Sequence, residues 1–272
     1  MAPGEVGLIR DWADAEKWNP GTHDGPAFFA ADPDGFFVGL LAGEPVACLS
    51  CVRYGAAFGF FGQFIVRPGH RGRGFGVVIG KAGLAHLAGR NVGLEGVLNK
   101  VRNYERIGFR LAHHTVRYAG TGGGARPDGL VPLADVPFAA VAAYDAGCFP
   151  APREAFLREW VRLPELLALG AVGGGRLTGY GVLRRSTNGY KVGPLFADDP
   201  GTAARLLAGL TAAVPGQEFC IDIPDGTVQP GGGELVGRFG LTEVFRTARM
   251  YTGGVPHHQM NRVFGVTSLE LG

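Results

Sequence analysis

Val66-Arg67-Pro68-Gly69-His70-Arg71-Gly72-Arg73-Gly74-Phe75-Gly76 is the stretch that decides how this 272-residue chain is read. An apolar run with strand character, 58–66, leads into it, Pro68 and Gly69 mark a turn, and a helix-like run follows from Val77. Strand, basic glycine loop and helix start together make an anion site. Glycines let backbone N–H groups approach a phosphate without Cβ interference, and the unpaired N–H groups and dipole of a helix N-terminus favour negative charge. Two familiar phosphate loops do not fit. A P-loop needs Gly, four residues, then Gly-Lys-Ser/Thr; here Gly80-Lys81 is followed by Ala82, and Phe75 stands where the first glycine belongs. A dinucleotide loop needs G-x-G-x-x-G, but the sixth position is Val77 counted from Gly72 and Ile79 counted from Gly74.

What matches is Arg-x-x-Gly-x-Gly, at Arg71, Gly74 and Gly76, preceded by Ile65-Val66-Arg67-Pro68. This pattern resembles the coenzyme A pyrophosphate loop of the GNAT N-acetyltransferase superfamily and the end of the strand before it. The resemblance implies that Arg71, Gly72, Arg73, Gly74, Phe75, Gly76 and Val77 bind acetyl-CoA. It also implies that the main chain of Phe64, Ile65 and Val66 pairs with the pantetheine arm where the strand splays from its neighbour. Tyr104-Glu105-Arg106-Ile107-Gly108-Phe109 is similar to the family's Tyr-x-x-x-Gly-Phe, which implies that Tyr104 protonates the departing sulfur; a phenol with a pKa near 10 suits that task. Glu95, in Gly93-Leu94-Glu95-Gly96-Val97, is the polar residue of an otherwise apolar strand. In the implied fold it flanks the thioester and is the candidate general base; a carboxylate facing solvent at a strand end is the equal alternative. Many members carry an Asn seven residues before the tyrosine. That position is Val97 here, with Asn99 and Asn103 out of register. His23 and Asp24 fall in the region that usually covers the acceptor, although surface residues capping a turn explain them better.

The chain as a whole bounds the possibilities. Hydrophobic residues make up 46% and charged residues 18%, an ordinary globular balance with ample core. A net charge of +2, with no interleaving of aromatic and basic residues, argues against nucleic acid as a partner. No leader segment or membrane-length apolar run is visible, and the expected compartment is the cytoplasm. Four cysteines are scattered; Cys48-x-x-Cys51 lies on a strand pattern that points the two to opposite faces. With no second pair, and with His113-His114 and His257-His258 merely adjacent, no metal site is expected. Nothing in the sequence encodes an oligomeric state.

The sequence is also written twice. The repeat is weak and lies in the order and spacing of its marks: the turn into a strand at Gly43-Glu44-Pro45-Val46 is matched at Gly175-Arg176-Leu177-Thr178, Phe61-Gly62-Gln63-Phe64 is echoed by Lys191-Val192-Gly193-Pro194, and Gly108-Phe109 with Arg117 by Gly240-Leu241 with Arg249. Gly122-Gly123-Gly124 and Pro127 have linker composition, which divides the chain into 1–124 and 125–272. Strands are expected over 36–41, 46–53, 58–66, 92–97 and 113–118. Helices are expected over 11–18, 77–88, 101–107 and 203–213, and over 152–169 with an interruption at Pro164. The second copy carries Asp198-Asp199-Pro200 in place of the glycine loop; like charge there opposes a pyrophosphate, while Asp199 and Pro200 suit a helix start. Trp18-Asn19-Pro20-Gly21, 190–198 and the stretch 264–270 are similar to a tandem GNAT subgroup whose second half is a degenerate domain of YitH/HolE type. The expected fold is therefore α/β (α+β): two tandem GNAT-like domains, each a mixed, mainly antiparallel twisted sheet flanked by helices, with acetyl-CoA bound by the first. The expected function is acetyl-CoA-dependent N-acetyl transfer to a small-molecule primary amine. The rival is a non-catalytic acyl-CoA sensor.

Overall fold

The computed structural model describes residue 1 and residues 3–272. The first half runs α1 (Val6–Ala15), α2 (Gly25–Ala31), β1 (Phe36–Leu41), β2 (Glu44–Tyr54), β3 (Phe58–Val66), α3 (Phe75–His86), β4 (Asn91–Val97), α4 (Val101–Glu105) and β5 (Arg110–Thr121). The second runs β6 (Leu130–Pro132), α5 (Phe138–Cys148), α6 (Glu154–Trp160), β7 (Leu166–Gly173), β8 (Arg176–Arg185), β9 (Tyr190–Ala197), α7 (Pro200–Thr211), β10 (Glu218–Pro224), α8 (Gly232–Phe239), β11 (Thr242–Tyr251) and β12 (Val263–Gly265).

All the strands join one mixed sheet in the order β1-β2-β3-β4-β11-β5-β10-β9-β8-β7-β6, with β12 on β9. Among the described residues only β3–β4 and β9–β10 pair in parallel, so the sheet is mixed and mainly antiparallel, as expected. The two halves exchange their late strands. β11 lies between β4 and β5, and β5 in turn pairs with β10. At the centre Thr115 faces Thr247. On either side of that point the same ion pair occurs twice. Arg249 on β11 donates to Glu95 on β4 at 2.8 Å, and Arg117 on β5 donates to Asp222 on β10 at 2.7 Å. Each arginine therefore reaches a carboxylate belonging to the other half.

α3 covers the first half's sheet. Gly83 lies so close to Leu49 and Cys51 that a Cβ would collide with both. Cys48 and Cys51 are both buried and fall in separate apolar clusters, one on each face of the sheet. Two expectations are corrected. The first helix covers Val6–Ala15, earlier than 11–18. Residues 152–169 are not one helix: α6 stops at Trp160, and Leu166 opens β7 against β8. Pro164 removes an N–H and disfavours helix at the residue before it, and Glu165 turns with φ 53°. No described helix is long and apolar enough to cross a membrane.

Candidate active site

The parallel pairing of β3 with β4 ends at Phe61 opposite Leu94. Beyond that point β4 continues against β11, through Glu95, Gly96 and Val97, while β3 stays with β2. A bulge bends β3 at the fork. Cys48 pairs with Ile65 and Ser50 with Gly62, so Gln63 and Phe64 together oppose Leu49 alone, and Gln63 takes a φ of 50°. The strands part into a cavity of about 680 Å³.

The glycine loop closes one side of this cavity. Gly72 (φ 75°) and Gly74 (φ 87°) adopt left-handed backbone that a side chain would strain. Gly74 caps α3 without a side-chain bond. The amides of Val77 and Val78 return to the Gly74 carbonyl at 3.0 and 3.2 Å. Among the described residues the amides of Phe75 and Gly76 have no acceptor, the condition that suits a helix start to an anion. Arg71 ties the loop down: its Nε donates to the Val66 carbonyl at 2.8 Å, and its guanidinium pairs with Glu16 beyond α1. Of the ten expected cofactor residues, nine line the cavity: Phe64, Ile65, Val66 and, in the loop and helix, all but Arg73. Arg73 instead stacks over the Phe75 ring, 5.2 Å from its centroid.

Tyr104 lines the cavity from α4. Its ring meets Phe109 edge-on at 6.2 Å and fills space that a side chain at Gly96 would occupy. Burial pushes its phenol above the usual value, so it stays protonated at neutral pH, the form a proton donor needs. Val97 lines the cavity, as does Asn103.

Glu95 also lines it, but its carboxylate is occupied. Arg249 Nε and Thr115 Oγ1 each donate to Oε1 at 2.8 Å, and Thr247 Oγ1 donates to Oε2 at 2.6 Å. Its side chain is 1% exposed. Asp24 corrects another expectation. It is no surface cap but a buried residue whose carboxylate accepts from Arg184 Nε at 3.0 and 3.1 Å. Burial raises its pKa against the opposing pull of Arg184. His23 pairs loosely with Glu165 at 3.5 Å.

The second half keeps the scaffold of this site and closes it. β9 and β10 pair in parallel from Tyr190 opposite Phe219 as far as Val192 opposite Ile221, but their fork is filled by β12. Val263 and Gly265 pair with β9, and the Val266 amide donates to the Asp222 carbonyl at 2.8 Å. Asp199 caps α7 by accepting from the Thr202 amide at 2.9 Å. Asp198 is held by Arg176 at 2.8 Å and Arg262 at 3.2 Å.

Sequence reasoning assigned no role to several cavity-lining residues, notably Gln63, Arg117, Thr247 and Glu270. Gln63 carried a signal, as a polar residue in an apolar strand. Glu270 sits in a stretch matched only as a string. Arg117 and Thr247 arrive on exchanged strands, for which local sequence has no mark.

Comparison with known proteins places the chain in a family. Residues 7–109 match the acetyltransferase (GNAT) family, and residues 141–265 match a family described as acetyltransferase (GNAT) domain. The chain is 33% identical over 268 residues to a holothin acyltransferase of a Pseudoalteromonas strain, covering 97% of this chain and 90% of that one. Its fold is similar to that of a crystallised protein from Pyrococcus horikoshii described as a putative acetyltransferase, at a TM-score of 0.85 and 23% identity over 100% of this chain and 94% of the other. It also resembles a tandem GNAT protein from the clavulanic acid biosynthesis pathway, at a TM-score of 0.61 and 16% identity over 94% and 98% of the two chains. The glycine loop at the start of α3, the forked β3 and β4 and their closed echo in the second half thus have one explanation: the chain belongs to the GNAT acyltransferases, as a member with two GNAT domains in tandem.

Proposed function

We propose that this chain transfers an acetyl group from acetyl-CoA to a primary amine of a small molecule, with one cosubstrate bound per chain, in the first half. The observation that carries the reading is the forked cavity itself, which joins unpaired helix-start amides to a protonated phenol along one wall. The Gly72–Gly76 amides suit a pyrophosphate, and the parted edge of β3 suits an amide-bearing arm lying alongside it as an extra strand. A main-chain N–H near the bulge would stabilise the oxyanion, and Tyr104 would give its proton to the leaving thiolate. The filled fork and the carboxylate-capped α7 of the second half support a single cosubstrate per chain.

The relative named for holothin puts holothin first among acceptors to test, beside ethanolamine, benzylamine, tyramine and tryptamine. Acetyl-CoA should raise the melting temperature, and calorimetry should count one equivalent bound. Thiol release, followed with DTNB, should then depend on the acceptor. Gly74→Asp places a carboxylate on a left-handed residue at the anion site and should abolish the thermal shift. Tyr104→Phe should retain the shift and lose about 100-fold in kcat, the low end of what positioned proton donors contribute. A protein that acetyl-CoA does not stabilise sinks the reading.

A further inference from the structure

A second cavity of about 370 Å³ lies under the N-terminal helices, lined by Val6, Asp24, Phe28 and Phe29 among others. It shares two lining residues with the forked cavity, Gln63 and Glu270. Each carries a buried oxygen, Gln63 Oε1 and Glu270 Oε2, with no hydrogen-bond partner among the described residues. Buried acceptors are expensive to leave unsatisfied, and two of them at the junction of two cavities point to a ligand that brings N–H groups.

Glu270 is held in place by its neighbours. Tyr54 donates to the Leu271 carbonyl at 3.1 Å, and Arg153 donates to Thr267 Oγ1 at 2.7 Å. The Glu270 main chain lies against Gly62 at the fork, where a Cβ would collide with its carbonyl. Its side chain is 6% exposed, and the Lys191 ammonium stands 3.5 Å from Oε1. Burial works against its charge, but Lys191, Arg117 and Arg184 more than offset this and hold the carboxyl below its usual range, with Asp222 opposing them. The group is therefore an ionised carboxylate with one oxygen free.

Glu95, the other carboxylate on the forked cavity's inner wall, differs on each count. Three donors already occupy it. Its pairing with Arg249 is repeated by Asp222 with Arg117 in the half whose fork is filled, so the pair belongs to the strand exchange. Glu270 has no such counterpart.

We propose that Glu270 receives the acceptor amine, its free oxygen binding the attacking nitrogen from the side of the second cavity. This assignment rests on the acyl-transfer reading above. As the nitrogen bonds to the acyl carbon, one N–H proton passes to Glu270. The C–S bond breaks, its electron pair stays on sulfur, and Tyr104 supplies the proton that completes the thiol. Proton return from Glu270 to Tyr104 through solvent restores both groups. The apolar walls of Phe28 and Phe29 fit a small amine with an apolar body.

Glu270→Gln keeps the shape and removes the charge. It should retain the acetyl-CoA thermal shift to within about a degree while kcat/KM, measured with the amine panel above, falls at least about 100-fold. Because the substitution leaves Lys191 buried without its partner, Lys191→Met with Glu270→Gln is made alongside. The double variant removes both charges, and the same loss is expected of it. If either variant binds acetyl-CoA and transfers at the wild-type rate, the assignment of Glu270 is overturned while the cofactor reading stands. If the wild-type protein shows no acetyl-CoA shift, or transfers to no amine, the acyl-transfer reading fails and takes this assignment with it.

Discussion

Glu95 and Asp222 occupy the fifth position of β4 and of β10, and each faces an arginine at the eighth position of an exchanged strand. The doubling makes the second half an internal control for the first. What both halves keep is architectural, and what only the first keeps, the glycine loop and Tyr104, is what the proposed acyl transfer uses; the counterpart of Tyr104 by offset from Gly240 is Val236. Glu95→Gln leaves the buried Arg249 guanidinium without its counter-charge and should cost about 3 kcal/mol, read from urea denaturation midpoints. The glycine loop was legible in the sequence because its demands are local. Left-handed φ at Gly72 and Gly74 and a bare helix start each leave a mark within six residues. The surroundings of Glu95 were not legible, because two of its three donors, Thr247 and Arg249, lie more than 150 residues away. A polar residue in an apolar strand reads equally as a base or as a solvent-facing strand end, and its distant partners have to be known before its surroundings are.

Strands β1 and β3 have the bounds that their apolar patterns predict, since each is a continuous run stopped by a turn. The 152–169 segment was misread because its leucines suit a buried strand as well as a helix face, and pairing with β8 decides between them. A carboxylate unmarked in the sequence ties three of the first half's elements together. Asp32, at the end of α2, accepts from Arg53 on β2 through Nε at 2.8 Å and through its amide at 3.0 Å, and it meets His86 at the end of α3 at 2.9 Å. Burial opposes its charge, but Arg53 and His86 more than offset this and lower its pKa from 3.8 to about 2. A depressed folded-state value means that the stabilisation is fully present above the unfolded value and is lost as pH falls through the folded one. Stability should therefore drop by about 2 kcal/mol between about pH 5 and pH 2 through this residue alone. Asp32→Asn should flatten that part of the profile, as followed by denaturant titrations at several pH values.

The strand exchange governs the molecule as a whole. The sequence reading places a division near residue 125, and the two family matches cover residues 7–109 and 141–265. The sheet does not respect it, since β4 and β5 are joined only through β11. A fragment of residues 1–124 would expose both edges of that gap and lose the charge partner of Glu95. It should show no cooperative thermal transition and should aggregate at micromolar concentration, whereas co-expression with 125–272 should restore a soluble pair that acetyl-CoA stabilises. A fragment 1–124 that folds on its own would mean that the first half does not depend on β11. The same feature sets an order of events in the cell. A ribosome making this chain completes the glycine loop early, yet the wall that faces it waits for residues 242–251, and the carboxylate at the cavity junction waits for residue 270. A nascent chain that has not yet reached residue 251 has the loop without the cavity, so the site can assemble only once β11 has left the exit tunnel.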